Sequence, residues 1–397
     1  MSDLRILVLG LGTNPESFIV RTLEGLAATG TRVSVATRER PLEAASRGID
    51  WIVERPVGGG DLAANLLGRA RRARRRAGTG RRWVEFSLST AVDEFDLIYL
   101  PWINIAVERP ELFDLGLPVA VSCRGSFLST APWNPRRVVF RDALGRVFRR
   151  AAGVHCVSRS MLRDAESLGL APEKATVVYT GVDTTLYRPD PGPIAASGGG
   201  RDELRILWIG GLNWKKDIEH ALLAVAALGQ AGRRVSMSIV GSGEELDRAR
   251  FTQDDLGLGS SIQFVGQVDQ HALPARHREH DVLLHSASTE GVPNVVVEAM
   301  ASGLPVVVTD VGGTSEAVTD GVEGFVVPVR SPERMAERLV TLADDESLRR
   351  RMGEAGRRRA IAQFDLGLHV AGFRAFLEQT VRSGTNLSSP RERNRSG

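Results

Sequence analysis

The sequence predicts an α/β protein of two domains, each a Rossmann-like parallel sheet covered by helices on both faces. Three observations carry this. Leu4-Arg5-Ile6-Leu7-Val8-Leu9-Gly10 reappears as Leu204-Arg205-Ile206-Leu207-Trp208-Ile209-Gly210, each an apolar run of strand length that ends in a glycine turn and leads into a helical pattern. Strand-like and helix-like stretches then alternate along each half, as in sheets whose parallel strands are joined by helical crossovers. Between the halves, Pro189 to Gly200 is rich in proline, glycine, alanine and serine, the composition of a linker. The expected organisation is a first domain over 1–190, a linker over 191–203 and a second domain over 204–365. A helix over 366–382 is expected to pack back toward the first domain, followed by a disordered tail over 383–397 rich in Ser, Arg, Asn and Gly.

In the first half, strands are expected at 4–9, 32–36, 50–53, 96–100, 118–122, 153–157 and 176–179, with helices at 16–29 and 159–168 among them. In the second half the expected strands are 204–209, 235–240, 262–265, 282–285, 305–309 and 324–327. Helices are expected from about 217, from 244, near 271–278, between 290 and 303, and from 314. Ligands of such sheets bind beyond the carboxyl ends of the strands, and two sheets facing one another would leave a cleft there.

Composition narrows the function classes. The chain has 397 residues, too many for one ordinary core. Cys123 and Cys156 supply neither a disulfide framework nor a metal-ligand cluster, which points to a reducing compartment. No apolar run approaches the length of a membrane span, and the expected location is cytoplasmic. Of 51 basic residues only Lys174, Lys215 and Lys216 are lysine, so an adjacent pair directly after a Gly-Gly turn stands out as a compact charge for phosphate oxygens. A solvated helix start is the alternative reading.

The most informative stretch is Ser288 to Met300, where Glu290 and Glu298 sit eight apart in an apolar, glycine-punctuated run. With Asn294 as the expected N-cap, Glu290 lies on the loop entering a helix and Glu298 one turn inside it. Free amides and the positive helix end suit a diphosphate, while carboxylates accept hydrogen bonds from sugar hydroxyls. Val295, Val296 and Val297 argue that the helix is buried, which disfavours merely solvated glutamates.

Glu290-Gly291-Val292-Pro293-Asn294, Glu298-Ala299-Met300-Ala301-Ser302-Gly303-Leu304-Pro305, Asp310-Val311-Gly312-Gly313-Thr314-Ser315-Glu316 and Asp320-Gly321-Val322-Glu323-Gly324 follow one another in an order that resembles the retaining glycosyltransferases of the GT-B fold, family four. Val157-Ser158, Gly181-Val182-Asp183 and Tyr187-Arg188-Pro189 are weaker matches of the same kind. The resemblance implies a retaining, metal-independent hexosyltransferase that moves a sugar from a nucleotide-diphosphate donor, UDP- or GDP-linked, to a hydroxyl acceptor, with no other cofactor. It implies that Glu298 holds the ribose, that Glu290 contacts the transferred sugar, and that Val292, Pro293 and Asn294 approach sugar and phosphate. It likewise implies that Lys216, with Lys215 and the turn Gly210-Gly211, meets the diphosphate, and that Gly10 and Gly12 admit the donor phosphates from the first domain. Two positions depart from the pattern. Gly211 stands where the family usually has the arginine of Gly-Arg-Leu, and Cys123-Arg124-Gly125 stands where many members have His-Gly, which makes Arg124 a candidate contact.

Charge growth on a departing diphosphate calls for preformed cations and helix ends. No Asp-x-Asp occurs in the chain, so that route to a bound metal is not indicated. His155, His220, His271, His277, His280, His285 and His369 read as structural, which leaves no strong candidate for the base an inverting enzyme needs. Trp102 and Asn104, at the end of a first-domain strand, are the acceptor candidates, with a packed turn as the equal alternative. Arg69 to Arg76 is the strongest charge run and offers either a solvated face or peripheral contact with anionic lipid. No nucleic-acid module accompanies the basic balance. An epimerase, or a member that binds nucleotide sugars without turnover, remains an open alternative, whereas Pro15 occupies the place of the third glycine of a dinucleotide fingerprint.

Overall fold

The computed structural model describes residues 4–12, 17–37, 48–54, 84–86, 94–189 and 203–387. The expected linker over 191–203 lies, except for Glu203, outside these residues, as does the arginine run 69–76.

The chain divides into two units. One comprises Met1–Val157, Leu162–Val178 and His369–Gly397, and the other Ser158–Met161 and Tyr179–Leu368. Among the described residues the first contains eight strands: β1 (Arg5–Leu9), β2 (Arg32–Thr37), β3 (Ile49–Glu54), β4 (Val84–Phe86), β5 (Leu97–Leu100), β6 (Val119–Cys123), β7 (Gly153–Cys156) and β8 (Ala175–Val177). Their order is β4-β3-β2-β1-β5-β6-β7-β8, and neighbours pair in parallel. All residues of β5, β6 and β7 are buried, which explains why these strands read as unbroken apolar runs rather than alternating ones. β4, three residues long, has no counterpart in the sequence reading.

Helix α1 (Ser17–Ala28) buries Ile19, Leu23 and Leu26 at helical spacing, and α2 (Val138–Arg150) buries Ala143, Leu144, Val147 and Phe148. Helix α3 (Arg159–Ser167) begins at Ser158, whose Oγ accepts from the Met161 N–H at 3.0 Å.

The second unit has six parallel strands: β9 (Glu203–Ile209), β10 (Arg234–Val240), β11 (Ile262–Gly266), β12 (Val282–His285), β13 (Val306–Thr309) and β14 (Gly324–Val327), in the order β11-β10-β9-β12-β13-β14. This is the doubly wound order, which reverses direction between its first and fourth strands. Side chains of β9 alternate. Leu204, Ile206 and Trp208 face a core formed with α4 (Ile218–Gln230), α5 (Leu246–Asp255) and α8 (Pro332–Asp344), while Leu207 faces one formed with α7 (Asn294–Ala301). Helix α6 (Leu273–Arg278) precedes β12.

Helix α7 carries three consecutive valines, poor helix formers by about half a kcal/mol each, but burial of each contributes about 1.5–3 kcal/mol, so packing decides its conformation. Against it lies α9 (Glu346–Gln363), and Gly353 is what permits the approach, since a Cβ there would stand 2.0 Å from the Gly303 carbonyl oxygen.

The helix expected from 314 begins there and is a single turn, Thr314–Ala317. Helix α10 (Leu366–Leu387) runs past the expected end at 382, so 383–387 are helical and only 388–397 lie outside the described residues. From His369 onward α10 belongs to the first unit, where the His369 Nε2 lies 3.0 Å from the Thr22 Oγ1 and Phe373 packs edge-on against Tyr99 and His155.

Candidate functional site

The reversal of strand order in the second unit falls between β9 and β12, so the loops leaving their carboxyl ends diverge and open a crevice. These loops are Gly210–Asp217 and Ser286–Pro293. Their backbones are joined directly. Ser288 N–H donates to the Lys215 carbonyl at 2.7 Å, and the Ser286 hydroxyl donates to the Lys216 carbonyl at 2.8 Å while accepting from the Trp208 indole at 3.2 Å. Asp217, in the left-handed region at φ +50°, accepts from the Ser288 hydroxyl at 2.8 Å and contacts His220 Nδ1 at 2.6 Å. A third loop closes the far side, where Gly313 N–H donates to the Gly291 carbonyl at 2.7 Å. Gly312 has φ +53°, and a Cβ there would lie 1.9 Å from the Glu290 carbonyl oxygen, so only glycine fits.

This frame brings Lys216 and Glu290 together. The Lys216 Nζ donates to the Glu290 Oε1, and the same oxygen lies 3.2 Å from the His285 Nε2. The His285 ring is buried, and its Nε2 is not aligned on Glu290 as a well-formed hydrogen bond. Burial pushes the Glu290 carboxyl up, but the charge of Lys216 and the contact with His285 outweigh it and bring the pKa down to about 2. Burial lowers the His285 imidazole, and the Lys216 charge adds to that against the opposing pull of Glu290, so His285 is a neutral ring at neutral pH. The group is therefore one cation shared with one carboxylate, with a neutral imidazole beneath. A multiply charged anion arriving at the crevice would compete with Glu290 for Lys216.

Helix α7 begins at the same place. Its N-cap is Pro293, with φ −72° and no side-chain cap, and Asn294 is its first helical residue rather than the expected cap. A proline cap has no N–H to leave unsatisfied and fixes the entering chain, and the first amides of the helix remain as donors for a ligand. Val292 is buried, and Glu298 is 7% exposed on the second turn.

Not every candidate in this unit joins the cluster by its side chain. Lys215 contributes its backbone, with its N–H to the Asn213 Oδ1 at 3.1 Å and its carbonyl to Ser288. A Cβ on Gly210 would stand 3.3 Å from the Trp208 ring and in ordinary contact, 3.6 Å, with the Lys216 Cγ and Cδ, so the lysine stem does not itself require glycine here. Gly211 is exposed and lies outside the left-handed region; a Cβ there meets the Asn213 Nδ2 at 3.1 Å and the Ser242 carbonyl oxygen at 3.9 Å, so the backbone does not demand glycine at this position.

The first-unit candidates gather at the corresponding reversal, between β1 and β5, with β6 next in order. Gly10 ends β1 at φ +86°, and a Cβ there would be 2.2 Å from the Ile105 Cδ1, whereas a Cβ on Gly12 meets nothing within 4 Å. Trp102 follows β5 and packs edge-on against Phe18 at 6.4 Å. Arg124 follows β6, is 5% exposed, and lies 5.3 Å from the Phe18 ring centroid. Asn104 donates to the Glu108 Oε1 at 3.1 Å. The Arg124 Nε and the Asn104 Oδ1 are buried without hydrogen-bond partners among the described residues.

The sequence reading missed His285 as a site residue, along with Asp217, Ser286 and Ser288. The available signal was Ser286-Ala287-Ser288 placed directly before Glu290, two hydroxyls able to tie this loop to its neighbour.

The family model of glycosyl transferases group 1 matches residues 195–359, and that of Glycosyltransferase Family 4 matches residues 15–186. The chain belongs to glycosyltransferase family 4. This family 4 chain is 32% identical over 196 residues to the D-inositol 3-phosphate glycosyltransferase of Corynebacterium glutamicum (strain R), covering 46% of each. It is also 32% identical over 201 residues to the GDP-mannose-dependent alpha-(1-6)-phosphatidylinositol monomannoside mannosyltransferase of Mycobacterium tuberculosis (strain ATCC 25618 / H37Rv), over 46% of this chain and 50% of that protein. It thus spans about half the length of the curated relatives it matches. Anabaena HepE, solved in complex with UDP and glucose, superposes with a TM-score of 0.75 at 20% identity over 94% of this chain and 99% of its own. Sucrose-phosphate synthase from Thermosynechococcus elongatus gives 0.70 at 16% identity over 96% and 100%. These likenesses are of fold, and the fold is GT-B. No helix among the described residues of this family 4 chain is long and apolar enough to cross a membrane.

Proposed function

We propose that the chain transfers a sugar from a nucleotide-diphosphate donor to a hydroxyl acceptor with retention of anomeric configuration. The observation that carries this is the Lys216–Glu290–His285 group at the strand reversal beside the start of α7, in a family 4 chain. Lys216 and the first amides of α7 meet the diphosphate and offset the negative charge that grows as the sugar–phosphate bond breaks. Glu298 accepts hydrogen bonds from the ribose hydroxyls. Glu290, ionised and held by His285 once Lys216 turns to the phosphate, accepts from a hydroxyl of the transferred sugar. The acceptor oxygen forms its bond to the anomeric carbon on the face the phosphate leaves, and the departing phosphate oxygen takes the acceptor's proton. In the ligand-free site Lys216 and His285 hold the Glu290 carboxyl to about 2, so it enters the reaction ionised, as a hydrogen-bond acceptor. The charged partners named here are all side chains and helix amides, so the reading assigns the phosphate charge to them rather than to a metal.

The named relatives act on inositol phosphate or use GDP-mannose, and HepE was solved with UDP. UDP- and GDP-sugars are therefore the first donors to assay, with polyol and lipid-linked hydroxyl acceptors. Nucleotide release that requires an acceptor, with a product of retained configuration by NMR, is the expected result. Release that is independent of acceptor, or an inverted product, overturns the reading.

A further inference from the structure

The transfer reading leaves one surface of the first unit unused. It begins directly after Arg124 and Gly125, at the carboxyl end of β6, and consists of the turn Ala131–Trp133 and the helix α2 that packs against it. The buried stripe Ala143, Leu144, Val147 and Phe148 fixes which side of α2 faces the sheet. On the other side Trp133 is 50% exposed, Val138 59% and Val139 77%. Single exposed apolar residues are ordinary, but here three large ones are exposed between residues 133 and 139, on a turn and the helix packed against it.

The patch sits among unpaired positive charge. Arg136, Arg137, Arg141, Arg146 and Arg149 are exposed, and none pairs with a carboxylate among the described residues. Asp142 is the single acidic residue between Arg136 and Arg150. Arg150 differs from the rest in being paired with Asp114. The Arg141 guanidinium lies 4.8 Å from the Trp133 ring centroid. Arg141, Arg146 and Arg149, with Asp142 and Gly145 among them, line a cleft of about 420 Å³ together with Ser167 and Leu168.

An amphipathic ring and two exposed valines, with exposed guanidinium groups on the same turn and helix, fit the boundary between acyl chains and phosphates in a bilayer. The excess of arginine over acid selects an anionic one. We propose that this face docks the protein on an anionic phospholipid surface, with Trp133, Val138 and Val139 entering the interface and Arg136, Arg137, Arg141, Arg146 and Arg149 engaging lipid phosphates. Because α2 leads from the end of β6 back to the start of the parallel strand β7, Val138 and Val139 lie toward the carboxyl edge of the sheet, and docking brings that edge toward the lipid.

The test is flotation of the full chain with vesicles of phosphatidylcholine alone and of phosphatidylcholine mixed with phosphatidylglycerol, and it requires no transfer activity. Binding is expected to the mixed vesicles only, and to weaken as salt rises. Substituting Trp133→Ser, Val138→Ser and Val139→Ser together should lower partitioning at least tenfold. Arg141→Gln, Arg146→Gln and Arg149→Gln should each lower it by about fivefold. These side chains are exposed, so circular dichroism and melting should be unchanged in every variant. No binding of the unaltered chain to mixed vesicles at low salt overturns the proposal. So does binding that survives both sets of substitutions, or self-association in sedimentation that the three serine substitutions abolish, which would give the face to a second copy of the chain.

Discussion

At the edge where their strands begin, the two units are built alike. Arg5 donates its N–H to the Asp96 carboxylate at 2.8 Å and its Nη2 at 2.7 Å, and Arg205 donates to Asp281 at 2.9 and 2.7 Å in the same pattern. Each clamp fastens the first strand of a sheet to the strand beyond the reversal, and each lowers its carboxyl pKa, because the hydrogen bonds from arginine outweigh burial. At the opposite edge the units part. The second presents Lys216 and Glu290 paired with each other over His285, while the first presents the Arg124 Nε and the Asn104 Oδ1 buried without partners among the described residues. A buried polar group left unsatisfied costs about 1–3 kcal/mol. The duplicated edge is thus scaffold. Of the two edges that carry candidates, one pairs its charges internally before any ligand arrives and leaves only the neutral His285 Nε2 without an aligned partner, whereas the other leaves a buried guanidinium Nε and an amide oxygen open.

The contrast can be broken most sharply at Lys216. Lys216→Met should lower acceptor-dependent nucleotide release by two to three orders of magnitude, the usual effect of removing a group aimed at developing charge, with a smaller change in donor KM. Equal small effects on both would remove it from the phosphate site.

The same variant tests the internal pairing through acid unfolding. A carboxyl depressed from an ordinary value of 4.5 to about 2 stabilises the fold fully above pH 4.5, and that contribution is lost as pH falls toward 2. The loss should amount to on the order of 3 kcal/mol in denaturant titrations between those limits, and it should largely vanish in Lys216→Met. An unchanged acid limb would show that the pair does not hold Glu290.

Glu298→Gln should raise donor KM by about thirtyfold, roughly 2 kcal/mol for a charged hydrogen-bond acceptor, and leave kcat within a few-fold. Gly211→Arg runs the other way. Its backbone accepts a side chain if Asn213 yields slightly, and a second cation near the diphosphate should raise kcat/KM by about tenfold, roughly 1.5 kcal/mol. A loss of activity there would indicate that the phosphate site is complete without it. The smallest effects belong to the shared edge. Arg5→Met and Arg205→Met should each cost about 1 kcal/mol in melting experiments, with the less exposed Arg205 pair at the upper end.

Much of the fold was legible because parallel strands buried on both faces write themselves as apolar runs, and because Leu4–Gly10 and Leu204–Gly210 repeat. What escaped has physical reasons. β4 is too short to show a period. Helix α9 hides its inner face, since the buried residues are Met352, Gly353, Gly356 and Ala360, small side chains among many arginines. Of the site, Lys216 and Glu290 were legible from residue type and place, but their pairing was not. It depends on Ser286 and Ser288 tying one loop to another across some 70 residues of sequence and on the left-handed turn at Asp217. His285 escaped because a lone histidine at a strand end carries no period and acquires meaning only from the turn that returns Glu290 above it. The N-cap went to Pro293 because a proline there fixes the entering chain and needs no hydrogen-bond partner, whereas the polar side chain of Asn294 suggested itself by type.

Helix α10 joins the first unit only from His369, after the chain has passed through the second. Its Phe373 covers Tyr99 and His155, and its Thr380 sits so close to Gly153 that a Cβ there would stand 2.2 Å from the Thr380 Oγ1. On the ribosome, the first unit therefore waits for residues made after the second unit, while the second has nearly all its own chain in hand before α10 emerges. Along this chain, order of synthesis and order of completion are opposite.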